Sequence, residues 1–350
     1  MSYSTFGTHV RVTTFGESHG AAVGVVIDGL PPGYPVDVNA IQRELDRRRP
    51  GRSRYVSERN EPDRVEILSG VFEGVTTGAP LAMMVRNEDA RPEDYEDLRD
   101  VFRPGHADYG VFARYGIRDH RGGGRLAGRE TVARVAAGAV AKGILGNAGM
   151  SVRGFVRRVG SVEAETVDWD FLARSEVECP DPSAEEAMKN EIERAAADGD
   201  SVGGIVEVWA KGVPAGLGDP VFMKLDAQIA WGCMSIGGVK GVEIGEGFAL
   251  ARMRGSEAND QFGENFELLS NRSGGIIGGI SVGAPIVVRL AVKPTPSIRK
   301  PQRMAKPDGT VIERVLEGRF DPCLCPRIVV VAEAMVALAL LDAWVRARNR

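Results

Sequence analysis

The sequence predicts an α+β fold, a β-α-β sandwich in which two strand–helix–strand units are fused in one domain. Three observations predict it. Period-two alternation marks His9–Thr14 and Val23–Asp28 as strands, with a capped helix close behind. The same punctuation then recurs in the same order. Gly29-Leu-Pro-Pro-Gly33 has an echo in Gly212-Val-Pro-Ala-Gly216, and GVFEGVTTGAPLAMMV from Gly70 has one in GIIGGISVGAPIVVRL from Gly275. Finally, two apolar helices, 130–145 and 328–345, close the two halves. The 350 residues therefore read as a single domain with internal duplication, pseudo-repeats spanning roughly 9–150 and 151–345.

The elements follow in chain order. Asp37 caps a helix that carries Val38, Ile41 and Leu45 on one face and stops at Pro50-Gly51. Arg47, Arg48 and Arg49 crowd its last turn, where cations suit the helix dipole, so part of this cluster is expected to be structural. Arg64–Ser69 and Leu81–Arg86 read as strands. Residues 87–128 are polar and glycine-rich with little periodicity, and a loop of that length in a compact protein is expected to be functional. Glu130–Leu145, rich in Ala, Val and Gly, predicts a tightly packed helix. Ser183-x-x-Glu186 reads as a capping box opening a helix to about Ala197. Asp219-Pro220 reads as the start of another, with Asp as cap and Pro in the first helical position. The apolar run from Ile328 to Val345 is broken by Glu333 and Asp342, which argues for a buried helix and against a membrane span.

Composition narrows the function classes. Lys plus Arg is 44 and Asp plus Glu is 48, a net charge of −4, which argues against a nucleic-acid partner. Arginines concentrate in the first third, and a basic pocket in an acidic protein suits a small anionic ligand. Cys179, Cys233, Cys323 and Cys325 include a C-x-C but no C-x-x-C pair, so buried thiols are expected and no metal site. MSYSTFGTHV has neither a positive start nor an apolar stretch, which sets the expectation of a cytoplasmic protein with no membrane partner.

Of four histidines, two sit among glycines: His19 in Phe15-Gly-Glu-Ser-His-Gly20 and His106 in Arg103-Pro-Gly-His-Ala-Asp108. Imidazoles on such loops suit proton transfer near neutral pH, although a solvent-exposed loop histidine fits each one equally well. Arginines stand in groups: Arg48, Arg49, Arg52 and Arg54; Arg103; Arg121, Arg125 and Arg129 around Gly122-Gly-Gly124; and Arg319 near Asp321. Guanidinium forks bind phosphate and carboxylate through paired hydrogen bonds, so separate groups suit a substrate with several negative charges. Gly122–Ala127 loosely fits G-x-G-x-x-A, but no convincing strand precedes it and the dinucleotide reading is rejected. The residues alone support an enzyme acting on a small polyanion with two histidines.

Together the blocks carry a resemblance. FGESHG, VGVVIDGLPPG, RRRPG, EPDRVEILSGVFEG, TTGAPLAMMV, RPGHADY, RGGG with RET, VKGVEIG, GGIIGGIS, KPTPSI and DPC before EAM occur in that order from Thr8 to about Ala337. This pattern resembles the chorismate synthase family. The resemblance implies a β-α-β sandwich, usually a homotetramer, and a flavoprotein lyase of the shikimate pathway of aromatic amino acid biosynthesis, with NADP as an associated nicotinamide. It implies trans-1,4-elimination of phosphate from 5-enolpyruvylshikimate 3-phosphate to give chorismate, with reduced FMN required and no net redox change. By resemblance His19 protonates the leaving phosphate, His106 lies by the flavin, and Asp321 assists removal of the C6 proton through flavin N5. Arg48, Arg54, Arg103, Arg129 and Arg319 match the arginines that hold the substrate's phosphate and carboxylates. Arg125, Leu126, Ala127, Gly237, Gly238, Gly278, Lys293, Pro294, Thr295, Pro296, Ser297 and Arg319 match the positions that hold FMN.

Three blocks depart from the family. R-S-S-A-R-E-T is Arg125-Leu-Ala-Gly-Arg129-Glu-Thr131, S-I-N-A-V-K-G is Ser235-Ile-Gly-Gly-Val-Lys-Gly241, and R-H-D-P-C is Arg319-Phe-Asp321-Pro-Cys323. Two serines, an asparagine and a histidine are gone from one pocket, each worth roughly 1 kcal/mol if it made a hydrogen bond. Backbone amides and a stacked Phe320 are the expected substitutes. The departures also motivate a second reading, a paralogue that binds a shikimate-pathway anion without normal FMN use.

Overall fold

The computed structural model describes residues 4–49, 51, 55, 61–318 and 320–348. The first sheet comprises β1 (Thr5–Phe6), β2 (Arg11–Gly16), β3 (Ala22–Asp28), β4 (Val65–Ser69) and β5 (Leu81–Arg86). Its spatial order is β1-β2-β3-β5-β4, antiparallel throughout. The second comprises β6 (Ser151–Val159), β7 (Val162–Glu163), β8 (Gly204–Lys211), β9 (Val239–Ile244) and β10 (Ile286–Val292), in the order β9-β10-β8-β6-β7, also antiparallel. Without the two-residue edge strands, one sheet winds β2-β3-β5-β4 and the other β6-β8-β10-β9, which is the same path. Helix α1 (Val38–Arg48) falls between β3 and β4 in sequence. The helices α2 (Asp108–Tyr115), α3 (Thr131–Asn147), α4 (Glu185–Ala197), α5 (Leu225–Met234) and α6 (Cys325–Arg348) follow, with α5 between β8 and β9.

Helices fill the space between the sheets. Helix α3 packs on the first sheet, α6 on the second, and the two pack on each other. Their close approach explains the small residues of α3: a Cβ on Gly138 would collide with Ala334. Helix α6 is apolar all round because it has a neighbour on every side. It is long and apolar enough to cross a membrane by length and composition, yet 94% of its most apolar stretch is buried in the protein. Its two acids are partnered. Glu333 accepts from Arg47 at 2.9 Å, from Lys142 and from the Gly154 amide. Burial would raise the Glu333 pKa, but Lys142 and Arg47 bring it down to about 2. All four cysteines are buried free thiols, and burial pushes Cys179 to about 11 and Cys233 to about 12.

Asp37 caps α1 as expected, accepting from the Asn39 and Ala40 amides. Other boundaries differ for identifiable reasons. The predicted strand at His9–Thr14 begins at Arg11, because the His9 and Val10 amides donate to the Asp342 carboxylate. The Ser183 capping box does not form: the Ser183 hydroxyl donates to Asp181, whose carbonyl takes the first amides of α4. Asp219-Pro220 opens no helix. The Asp219 amide closes a turn onto the Met223 carbonyl and its carboxylate pairs with Arg346 at 2.5 Å, so α5 starts at Leu225. Residues 87–128 are not a structureless loop; they hold α2 and short 3-10 turns.

Candidate active site

The site lies at the end of the sandwich where β5 and β10 both finish, and a closed ring of contacts defines it. On the turn between β2 and β3, the Ser18 amide donates to the Gly124 carbonyl at 3.1 Å, which sets His19 against Gly122. A Cβ on Gly122 would collide with the His19 ring, and one on Gly123 would come within 2.9 Å of His106 Cε1. Both glycines have positive φ, so backbone conformation and close approach alike require Gly. The His19 ring meets the Tyr95 ring edge-on at 5.0 Å. Two successive glycines thus separate the two histidines.

From His106 the ring continues through its own loop. Arg103 binds Asp108 through Nε at 2.8 Å and Nη2 at 3.1 Å, and His106 Nδ1 lies 3.0 Å from Asp108 Oδ1. Arg118 lies 3.4 Å from the same oxygen. Burial alone would raise the Asp108 pKa, but hydrogen bonds with His106 and Arg103 hold it far below the usual carboxylate range. Asp108 therefore favours the proton on Nδ1 of His106, which leaves Nε2 as an acceptor facing Arg103 Nη2 at 3.2 Å. Next, Lys293 donates to the Gly105 carbonyl at 2.5 Å, and Gly105 lies against Pro296. Thr295 donates to the Asp321 carbonyl at 2.7 Å, and the Asp321 carboxylate pairs with Arg327 at 2.6 Å. Arg327 reaches back to the Arg48 carbonyl at 3.4 Å.

Arg48 and Arg129 close the ring. Asp63 bridges them, binding Arg48 Nη2 at 2.6 Å and Arg129 Nη1 with its other oxygen. Arg129 also donates to Asn87 Oδ1 at 2.6 Å and to the Arg86 carbonyl at 3.0 Å. Burial brings Arg48 down to about 10, against the pull of Asp63, so it is a cation at neutral pH. Burial opposes ionisation of Asp63 as well, but Arg48 and Arg129 keep its pKa below the ordinary value. Arg47, one residue away, belongs to the Glu333 cluster, so the arginine triplet divides between structure and site.

The predicted flavin positions are only partly brought together. Arg125 lies near the ring, donating to the Thr14 carbonyl at 2.8 Å and Oγ1 at 2.5 Å. Leu126 is 58% exposed and Ala127 half-buried. Gly237 and Gly238 follow α5; the Gly238 carbonyl accepts from the Lys293 amide at 2.9 Å, which ties them to Lys293, Pro294, Thr295, Pro296 and Ser297. Gly278 is elsewhere. It lies in the hairpin Ile276–Ser281 before β10 begins, beside Leu217 and Leu225, whereas Lys293 follows the end of β10. Seven extended residues, roughly 20 Å, separate the two ends. Phe320 packs into a small cluster with Leu98, Val101, Met304 and Leu316, so the expected stacking surface is committed elsewhere. Arg52, Arg54 and Arg319 lie outside the described residues.

Sequence reasoning missed the carboxylates that organise the cations. Asp108 was within reach, since it shares one loop with Arg103 and His106. Asp63 was not, because its partner Arg129 is 66 residues away.

Comparison with known proteins identifies the family. The family model described as chorismate synthase matches residues 10–345. Chorismate synthase from Methanocella arvoryzae is 53% identical over 98% of this chain and 94% of its own length. That from Methylobacterium radiotolerans is 49% identical over 100% of this chain and 99% of its own. A solved structure described as the crystal structure of chorismate synthase superposes with a TM-score of 0.77 at 33% identity, covering 97% of this chain and 93% of that one. The chain belongs to the chorismate synthase family.

Proposed function

We propose that this lyase releases phosphate from 5-enolpyruvylshikimate 3-phosphate by trans-1,4-elimination, using reduced FMN, to give chorismate for aromatic amino acid synthesis. The observation that carries the reading is the ring of contacts joining His19, His106, Arg103, Lys293, Asp321, Arg48 and Arg129. In the reaction the C3–O bond breaks with its electron pair on phosphate, the C6–H bond breaks, and a further ring double bond forms. Arg48, Arg103 and Arg129 supply fixed positive charge where phosphate and carboxylates carry negative charge, and the dry surroundings strengthen each contact. His19 gives a proton to the departing phosphate. His106 holds a proton beside the cofactor in an orientation set by Asp108. Asp321, oriented by Arg327, assists removal of the C6 proton.

The residues fit FMN in spite of the replaced positions. Arg125 Nη1 is buried 3.7 Å from Glu130 Oε1 and makes no hydrogen bond among the described residues, so it retains a donor suited to an anionic group. Gly237 has open space where a side chain would be. Arg125, Gly237, Gly238 and the Lys293–Ser297 segment would hold it, and Leu126 would offer an apolar contact. When bound, reduced FMN supplies electron density that assists phosphate departure. Self-association is supported by Phe222, Phe248 and Phe266, all at least 80% exposed; four copies are what the family resemblance implies. The shared winding of the two sheets supports internal duplication. Identity near 50% over the full length favours the enzyme over the non-catalytic paralogue.

The test is an FMN titration with substrate present, followed by anaerobic turnover. Micromolar or tighter binding with phosphate release is expected. Tight substrate binding without flavin binding or turnover would point to the paralogue.

A further inference from the structure

We propose that Asp63 is a positioning residue for this reaction: its buried carboxylate sets the spacing and direction of the Arg48 and Arg129 forks before substrate arrives. The inference rests on the reading that these two arginines hold the substrate's anionic groups. Asp63 is fully buried and gives one oxygen to each guanidinium. Glu61 faces Arg129 Nη2 at 3.7 Å, but Asp63 is the carboxylate that bridges both cations, and a carboxylate between two cations that must bind an anion opposes the binding it serves, unless orientation is its purpose. The backbone makes the same point. Asp63 has φ 47°, in the left-handed region, a conformation that costs energy for a residue with a side chain. The turn is held by α1: Gln42 donates to the Asp63 carbonyl at 3.2 Å and accepts from the Val65 amide at 3.3 Å. The helix that ends in Arg48 therefore also places the carboxylate that orients Arg48.

The arrangement leaves donors for a ligand. Arg48 Nε is buried and has no hydrogen-bond partner among the described residues, while Nη2 is occupied by Asp63. Arg129 is tied by Asp63, by Asn87 and by the Arg86 carbonyl, which fixes the plane of its fork. A fork held in plane loses less freedom when it grips a phosphate or carboxylate. Asp63 also lowers the net charge of the cluster, which disfavours retention of the inorganic phosphate product.

The test compares Asp63→Asn and Asp63→Glu with Arg48→Ala and Arg129→Ala. It measures anaerobic kcat and KM with reduced FMN, competitive inhibition by inorganic phosphate, and thermal melts to establish folding. Asp63→Asn removes the charge: inorganic phosphate is expected to inhibit at least threefold more tightly while kcat falls about tenfold or more. Asp63→Glu keeps the charge and moves it by one methylene, so kcat falls similarly with phosphate inhibition within about twofold of the parent. A purely structural role would not tighten phosphate binding. Folded variants with kcat and KM within about twofold of the parent would overturn the proposal, as would failure of both to fold, which would make Asp63 a folding residue. If the arginine variants themselves keep the parent KM, the reading of the site fails instead.

Discussion

The connection from β5 to α3, residues 87–130, and the connection from β10 to α6, residues 293–324, occupy corresponding places in two sheets of the same winding. Both end at the site, but they bring different things. The first carries Arg103, His106, Arg125 and Arg129, and its basic groups are tied to buried acids: Arg103 and His106 to Asp108, Arg129 to Asp63. The second carries the Lys293–Ser297 turn, bound largely through backbone carbonyls, and a paired acid, Asp321. The difference teaches that like architecture does not impose like chemistry. In the proposed reaction, the first connection would supply fixed charge and the His106 proton, and the second would frame the cofactor and present Asp321.

The largest effects should come from the first connection. His106→Ala, and His19→Ala on the turn facing it, are expected to lower kcat by roughly 10²–10⁴ in anaerobic phosphate-release assays. A small effect from both would remove the division of labour. Next come the two separating glycines. Gly122→Ala displaces His19 and Gly123→Ala displaces His106, and each is expected to cost about 10–100-fold in kcat. Flavin affinity, measured by fluorescence, should change little in the Gly122 variant.

Asp108→Asn sharpens the comparison through stability. Breaking a buried charge cluster costs about 3–5 kcal/mol in urea melts at neutral pH. The folded-state pKa of Asp108 lies below its unfolded value near 3.8, so its contribution is fully present above pH 4 and is lost as pH falls below it. The variant should therefore lose less stability than the parent between pH 5 and pH 2, a range chosen to bracket that value. The smallest effect belongs to Leu126→Ser, which restores a family residue at an exposed position. Stability should stay within about 0.5 kcal/mol, while one regained hydrogen bond tightens FMN by a few-fold, read by titration.

Local chemistry explains what could be read from the sequence. The α1 cap, the alternating strands and the buried character of α6 were legible because each depends on residues within one element. Ser183 and Asp219 misled because their side chains have longer-range options, Asp181 for one and Arg346 for the other. At the site, His19, His106, Arg48 and Arg129 were recognisable by type and motif. Their organisation was not, since Asp63 joins segments distant in sequence and Gly278 is placed by a hairpin bonded to Leu217 and Leu225. Arg47 and Arg48 are indistinguishable as letters, yet the helix turns one to Glu333 and the other to Asp63.

The division between the two connections is tested most directly by single-turnover phosphate release under anaerobic conditions, comparing His106→Ala with Lys293→Ala across a series of reduced FMN concentrations. The account predicts that the Lys293 variant recovers its rate as flavin is raised, while the His106 variant stays slow at every concentration. Recovery of the His106 variant alone would contradict it.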